Sequence, residues 1–434
     1  MNPVVETTCG AVEGLDCGTH YEFRGIPFAR PPVGDLRWKA PRPCEPWEGC
    51  FKADHFAPKA MQDEAEDMGI YTKEFYSDPS YDRDISEDCL YLNIWCPKEM
   101  EGRKYPVAVW IHGGAFMHGY SSEMEFDGEA FCERGVILVS IAYRMGLFGF
   151  LSIPELTKEE GHSGNYGLMD QIEALRWVQN NIASFGGDPS NVTLFGQSAG
   201  CVSVQDLCCS PLTEGLFAKA ILQSGAGYHP PLSLLVSQEG LNNVFQELLH
   251  VLQVSSFAEM RNYPAKMLND SFMKTPMVQK GWIPGPCIDG YVLEKTPDEI
   301  IEEGKMRDIP YIMGSTKDDL LTEGAGPDHP SGELWEGELR LIDKLKTAGK
   351  KVPYLYYFAH DLPGNQDGAF HSAELWYVFG TWKRCWRPMG EEDARLSRDM
   401  TDDWCRFMKT GQPGHEGEKE AWIPCTKGEY RLYR

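Results

Sequence analysis

FGGDPSNVTLFGQSAG, residues 185–200, decides the fold. Within it NVTLF (191–195) is a short apolar run of the kind that forms a buried strand. Gly196-Gln197-Ser198-Ala199-Gly200 is a tight turn, and CVSVQDLCCS (201–210) begins a helix. A strand-to-helix turn lifts a serine hydroxyl clear of the backbone. Small residues two positions to either side, here Gly196 and Gly200, let such a turn pack closely. The helix that starts there aims its free N–H groups at the same spot. A serine is a poor nucleophile until a base takes its proton. The turn therefore predicts Ser198 as a nucleophile that needs a base from elsewhere in the chain.

Upstream, PVAVWIHGG (106–114) is a buried strand ending in glycines, and VILVSIAYR (136–144) is another. NYGLMDQIEALRWVQNNIASFGG (165–187) has helical spacing: Leu168, Ile172, Leu175, Val178 and Ile182 share one face, and Gly186 and Gly187 end it. Downstream, LFAKAILQSG (216–225) reads as a helix passing into a strand. PYIMGS (310–315) and VPYLYYFAH (352–360) read as late strands, and EDARLSRDMTDDWCRFMKTG (392–411) as an amphipathic helix. The first hundred residues alternate short apolar runs with Gly and Pro, as antiparallel hairpins and loops do. Alternating strands and helices predict an α/β fold, a large, mostly parallel central sheet with helices on both faces and a small N-terminal antiparallel portion. Without a repeat or low-complexity linker, residues 1–434 are expected to form one domain.

His112-Gly113-Gly114-Ala115 ends a strand before the nucleophile turn. Cleaving an ester puts negative charge on the former carbonyl oxygen, and preorganised backbone N–H groups stabilise it. Glycines let the backbone approach without a side chain in the way. The N–H groups of Gly113, Gly114 and Ala199 are the expected oxyanion donors. His112 is expected to brace this loop.

The 434 residues include 41 Lys and Arg against 65 Asp and Glu, a formal net charge of −24. That field repels phosphate backbones and argues against a nucleic-acid partner. Weak steering of neutral or cationic substrates is its functional counterpart. The N-terminal MNPVVETTCGAVEG has neither the basic nor the apolar region of a signal peptide, and no run of 18 apolar residues occurs. Fourteen cysteines without a C-x-x-C pair suggest reduced thiols and no metal. The expectation is a cytoplasmic protein with no cofactor, no metal, no membrane partner and a small-molecule substrate.

The residues resemble the type-B carboxylesterase and cholinesterase family of α/β-hydrolases. FGGDPSNVTLFGQSAG (185–200) is similar to the family's nucleophile block and EDCLYLNIWCP (87–97) to its other characteristic block. RGIPFARPPVGDLRW (24–38), YRMGLFGF (143–150), GNYGLMDQIEALRWVQNNIASFGGDP (164–189) and WCRFMKTGQP (404–413) add to it. The resemblance is dense over residues 10–230 and thinner beyond. It implies the α/β-hydrolase fold, a Ser–acid–His triad and ester hydrolysis through an acyl-enzyme.

In this fold the triad follows the chain order Ser, acid, His. His329, His360, His371 and His415 lie far enough beyond Ser198. GAFHSAELWYVFG (368–380) resembles the family's histidine block, which selects His371 over His360. GSTKDDLLTE (314–323) resembles the segment that carries the family's acid, and Asp319 falls on a position usually held by glutamate. Asp318 and Glu323 are the competitors. An aspartate reaches about 1.5 Å less far, so its loop must sit closer to the histidine.

Other departures bear on the substrate. Gln197 stands where many relatives carry glutamate, which removes a negative charge beside the nucleophile. Met61 stands where many secreted relatives carry cysteine, leaving Cys89 without that partner. Residues 250–285 and the stretch between Asp319 and His371 are short for the family, which predicts a fairly open pocket accepting bulky or aromatic esters. Phe116, Met117, Trp376 and Phe379 are candidate pocket residues. Ser224 resembles a serine that steadies the triad in relatives. The resemblance thus implies a serine carboxylesterase. The same machinery would also serve carbamates, amides, lactones or feruloyl-type phenolic esters. A non-catalytic adhesion relative fits least well, because Ser198, His371, an acid and HGGA are all present.

Overall fold

The apolar runs read as strands at 106–114, 136–144, 191–195, 310–315 and 352–360, with the end of 216–225, all join one sheet. In spatial order these are Ile137–Ile141, Tyr105–Ile111, Gly187–Gln197, Lys219–Gln223, Tyr311–Thr316 and Tyr354–Phe358, with Arg431–Tyr433 beyond them; all seven run parallel. Tyr91–Pro97, His20–Pro27 and Leu15–Asp16 extend the other edge in antiparallel pairing, giving ten strands. The computed structural model describes residues 2–63, 68–230, 234–320, 322, 324–415, 418 and 420–434.

Side chains alternate across a strand, so a parallel sheet that is apolar on both faces must be covered on both. Val107, Val109, Ile111, Val192 and Leu194 pack on one side with Leu168, Ile172, Leu175 and Val178 of the helix Tyr166–Asn181. Ala108, Trp110, Phe195 and Ile221 pack on the other with Leu396, Met400, Trp404 and Phe407 of the helix Glu391–Thr410. The architecture is the predicted α/β-hydrolase fold.

Three local expectations need correction. Residues 216–218 form no helix: the Ala218 N–H already donates to Val192 O at 2.8 Å, so the sheet claims this segment and only the strand Lys219–Gln223 forms. The helix begun at Tyr166 stops at Asn181 and tightens into a 3₁₀ turn, Ile182–Phe185, before Gly186 closes it at φ 81°. The small N-terminal sheet is mixed: Val4–Thr7 and Gly10–Glu13 pair antiparallel, but Cys50–Lys52 joins in parallel. Beside it Cys9 and Cys44 form a disulfide, 35 residues apart, that no spacing motif announces. The other twelve cysteines, buried Cys89 among them, are free. Among the described residues no helix is long and apolar enough to cross a membrane.

The strand register sets up the site. Gly196 pairs with both Ile111 and Leu222, and Gln223 pairs with Gly314. The carboxyl ends of these parallel strands are therefore level. The segments beginning at His112, Ser198 and Ser224 emerge along one edge, the usual ligand-binding edge of such sheets.

Candidate active site

Ser198 is the residue between the strand Gly187–Gln197 and the helix Ala199–Cys209, with φ 57° and ψ −126°. A side chain at positive φ is strained and persists only where its surroundings hold it. Here the Ser198 N–H donates to Gln223 O at 3.0 Å, and Ser198 O accepts from Val202 N at 2.9 Å. The flanking glycines are obligatory. A Cβ on Gly200 would lie 2.1 Å from Ile111 O, and one on Gly196 would lie 2.6 Å from the Gly200 carbonyl.

The 112–116 loop packs directly on this turn. A Cβ at Gly113 would come within 3.1 Å of Ser198 Cβ. Gly114, Ala115 and Phe116 all have positive φ, which turns the loop back over the serine. Among the described residues, no protein acceptor takes the N–H of Gly113, Gly114 or Ala199. His112 is buried beneath the loop. Its Nδ1 lies 2.9 Å from Gly113 O, its ring stacks on Tyr143, and the Tyr143 hydroxyl donates to His112 O at 3.0 Å. Burial drops its pKa to about 4 and keeps it neutral.

His371 and Asp319 meet at this cavity, with Nδ1 and Oδ1 2.5 Å apart and both residues buried. Asp319 is held in turn by the N–H groups of Leu320 on Oδ1 (2.8 Å) and Thr316 on Oδ2 (3.0 Å). Burial raises its pKa, but the His371 charge and hydrogen bond, with help from Ser224 and Thr316, outweigh that and hold the carboxyl below its ordinary value. For His371 burial acts to lower the pKa. The Asp319 charge and hydrogen bond, and more weakly Glu374, outweigh it and raise the imidazole above its ordinary value. Asp318 points elsewhere and accepts from Ala369 N at 2.8 Å. Glu323 lies outside the described residues. His360 pairs with Asp393 and His415 with Asp403.

The other nitrogen of His371, Nε2, lies 3.1 Å from the Gln197 Nε2 amide. Ser198 and His371 line the same cavity, but among the described contacts the amide, rather than the Ser198 hydroxyl, occupies this nitrogen. Ser224 sits at φ 52° with its N–H donating to Gly314 O. Its hydroxyl lies beside Asp319 and depresses that pKa without a well-aligned hydrogen bond.

The cavity has a volume of about 250 Å³. Its apolar walls are not the residues that sequence reading proposed. Phe116 turns into the core against Phe150, and Met117 packs toward Gly146. Phe379 packs on Trp110 and Phe195, and Trp376 stacks behind Phe75 and donates to Glu74. None of the four borders the cavity; the rings that do are Tyr71, Phe75, Tyr76 and Phe126, with Met68, Leu320 and Leu375 beside them. The helix Ile70–Phe75 supplies two of these, and the Tyr71 hydroxyl donates to His371 O at 3.3 Å. Nothing in that segment's sequence announces a role; only its place against the 371 turn does. Glu123 and Glu125 also border the cavity. They are two acids within the stretch SSEMEF (121–126), which is buried throughout.

Among the described residues, two clusters bring metal-ligating atoms within 4.8 Å of one another, Cys17–His20–Glu22 and Asp403–His415–Glu418, and neither borders the cavity. Their His–carboxylate pairs are already joined by hydrogen bonds.

A ten-stranded sheet, a strained serine turn at its carboxyl edge and an acid-anchored histidine beside it define an α/β-hydrolase. The chain belongs to the Carboxylesterase family, whose sequence model matches residues 1–325 and 334–434. It is 34% identical to fumonisin B1 esterase of Sphingopyxis macrogoltabida, over 96% of this chain and 84% of that one. It is 32% identical to para-nitrobenzyl esterase of Bacillus subtilis, over 95% and 91%. A solved carboxylesterase from Geobacillus stearothermophilus superposes with a TM-score of 0.81 at 32% identity, covering 98% and 94%. The protein is a carboxylic ester hydrolase.

Proposed function

We propose that this hydrolase works by a serine mechanism with Ser198, His371 and Asp319 as its triad. The observation that carries the reading is the serine at φ 57° opening into the cavity where Asp319 anchors His371. Neutral His371, with its proton on Nδ1 toward Asp319, takes the Ser198 proton at Nε2 as the hydroxyl attacks the ester carbonyl. The Gln197 amide yields this nitrogen as the attack begins. The Gly113, Gly114 and Ala199 N–H groups receive the oxyanion. His371 then protonates the leaving alcohol, and water repeats the sequence on the acyl-enzyme. Asp319 orients the imidazole and stabilises its charge without taking the proton. The reading takes residues 1–434 as one domain, because the central sheet draws strands from Leu15 to Tyr433.

The pocket is proposed to accept bulky or aromatic esters. Aromatic rings from Tyr71, Phe75, Tyr76 and Phe126 support this, as does a relative named for para-nitrobenzyl esters. Turnover of short-acyl esters compared with bulky aromatic ones tests it, and a sharp preference for acetyl and butyryl esters refutes it. The mechanism is tested by assaying 4-nitrophenyl butyrate with wild type and Ser198→Ala in parallel. Loss of the nucleophile should lower turnover on the order of a million-fold. A folded Ser198→Ala variant that keeps its rate overturns the assignment.

A further inference from the structure

Two imidazoles border the cavity that holds Ser198, and the proposed mechanism uses only that of His371. The other belongs to His118, which is partly buried. Among the described residues the His118 ring has no hydrogen-bond partner, and neither of its nitrogens is sealed off as a buried orphan. The histidines elsewhere in the core are committed: His112 to Gly113 O, His360 to Asp393 and His415 to Asp403.

The backbone around His118 is pinned on both sides. Its N–H donates to Gly114 O at 2.9 Å. A Cβ on Gly114 would lie 2.0 Å from His118 O. The next residue, Gly119, donates its N–H to Gln62 Oε1 at 3.1 Å, and its carbonyl accepts from Gln62 Nε2 at 3.0 Å. His118 therefore rides on the loop that carries the Gly113 and Gly114 N–H groups, and its place relative to them is set before a substrate arrives. Burial, opposed by the Asp63 charge, holds its pKa below the ordinary histidine value, so the ring is neutral near neutral pH.

We propose that His118 is a specificity residue that hydrogen-bonds a hydroxyl group on an aromatic ester substrate. This rests on the serine-esterase reading and deepens it. A neutral imidazole presents one N–H donor and one bare nitrogen acceptor. An ammonium group has no lone pair for the N–H, and a carboxylate has no proton for the bare nitrogen; a hydroxyl answers either. A carboxylate would also meet Glu123 and Glu125, which border the same cavity. The rings of Tyr71, Phe75, Tyr76 and Phe126 border it too and suit an aryl group that carries the hydroxyl. A substrate that fills the cavity takes the imidazole out of water. One without a hydrogen-bonding group leaves the ring nitrogens unmatched, and that penalty is what separates the two kinds of substrate.

The test uses phenol and toluene, matched in size, as competitive inhibitors of 4-nitrophenyl butyrate hydrolysis near neutral pH. The quantity read is the ratio of their inhibition constants. His118→Leu should shift that ratio against phenol by about fivefold or more, the worth of one neutral hydrogen bond. His118→Asn keeps a donor and an acceptor and should retain part of the wild-type preference. A residue that merely shapes the loop would make the two variants alike. A ratio in His118→Leu within about twofold of wild type overturns the proposal, as does an equal loss in both variants. Should the leucine variant not fold, His118→Phe takes its place. Absence of nitrophenyl ester hydrolysis in wild type would instead sink the esterase reading. Calorimetric titration with phenol and toluene then still reports the same ratio.

Discussion

The Gln197 amide lies 3.1 Å from His371 Nε2, the nitrogen assigned to accept the Ser198 proton, while Asp319 holds the opposite nitrogen at 2.5 Å. The imidazole is thus gripped at both ends. A neutral amide at this place donates to the lone pair of the free base and favours it. A carboxylate would favour the imidazolium instead.

Gln197→Glu should therefore move the acid limb of the kcat/KM–pH profile upward by about one unit and slow hydrolysis near neutrality. A full pH–rate profile of the variant beside wild type measures this. An unmoved limb would show that the 197 side chain turns away from the imidazole in solution.

In wild type the rate should be low in acid and rise to a plateau as His371 loses its proton. Because Asp319 raises the His371 pKa, the midpoint should fall above the ordinary histidine value of about 6.5. Asp319→Asn removes that support. It should pull the midpoint down and lower kcat by about 10⁴-fold. A variant within tenfold of wild type would transfer the acid's role to another carboxylate.

Gly200→Ala should destabilise the fold more than its single methyl suggests, by about 2 kcal/mol or more, since the new Cβ would meet backbone 2.1 Å away. Denaturant unfolding of the purified variant measures the loss. Stability equal to wild type would mean that the turn can open without cost.

Glu74 accepts from Arg387 and from the indole N–H groups of Trp376 and Trp386, with Glu74 and Arg387 both almost wholly buried. Removing one partner leaves the other charge stranded. Glu74→Ala should cost about 3–5 kcal/mol. Because Glu74 lies in the helix Ile70–Phe75, the variant should also raise KM more than it lowers kcat. Unfolding curves and steady-state kinetics check the two halves separately.

The strands, the two-faced sheet and the serine turn were legible in the sequence because each depends on local pattern: apolar runs, a helical face, glycines at fixed offsets. The alliance of His371 with Asp319 came from resemblance, since 52 residues separate them and no local period joins them. The pocket wall was misread for a related reason. Phe116, Met117, Trp376 and Phe379 are neighbours of catalytic segments in sequence, but backbone direction turns them into the core. Much of the wall instead comes from residues 68–76, over a hundred positions before the serine. The short 216–218 stretch has too few residues to declare a period, and its hydrogen bond to Val192 decided its conformation.

Ser198 and Asp319 follow the ends of strands locked in register, whereas much of the cavity wall facing them comes from one short helix, Ile70–Phe75, and the residues beside it. Reactivity and selectivity are therefore carried by separable pieces of chain. Substitutions at Tyr71, Phe75 and Tyr76 can retune which molecules are admitted while the strand register that aligns the chemistry stays as it is, so substrate range in this scaffold can drift quickly even as its reaction stays constant.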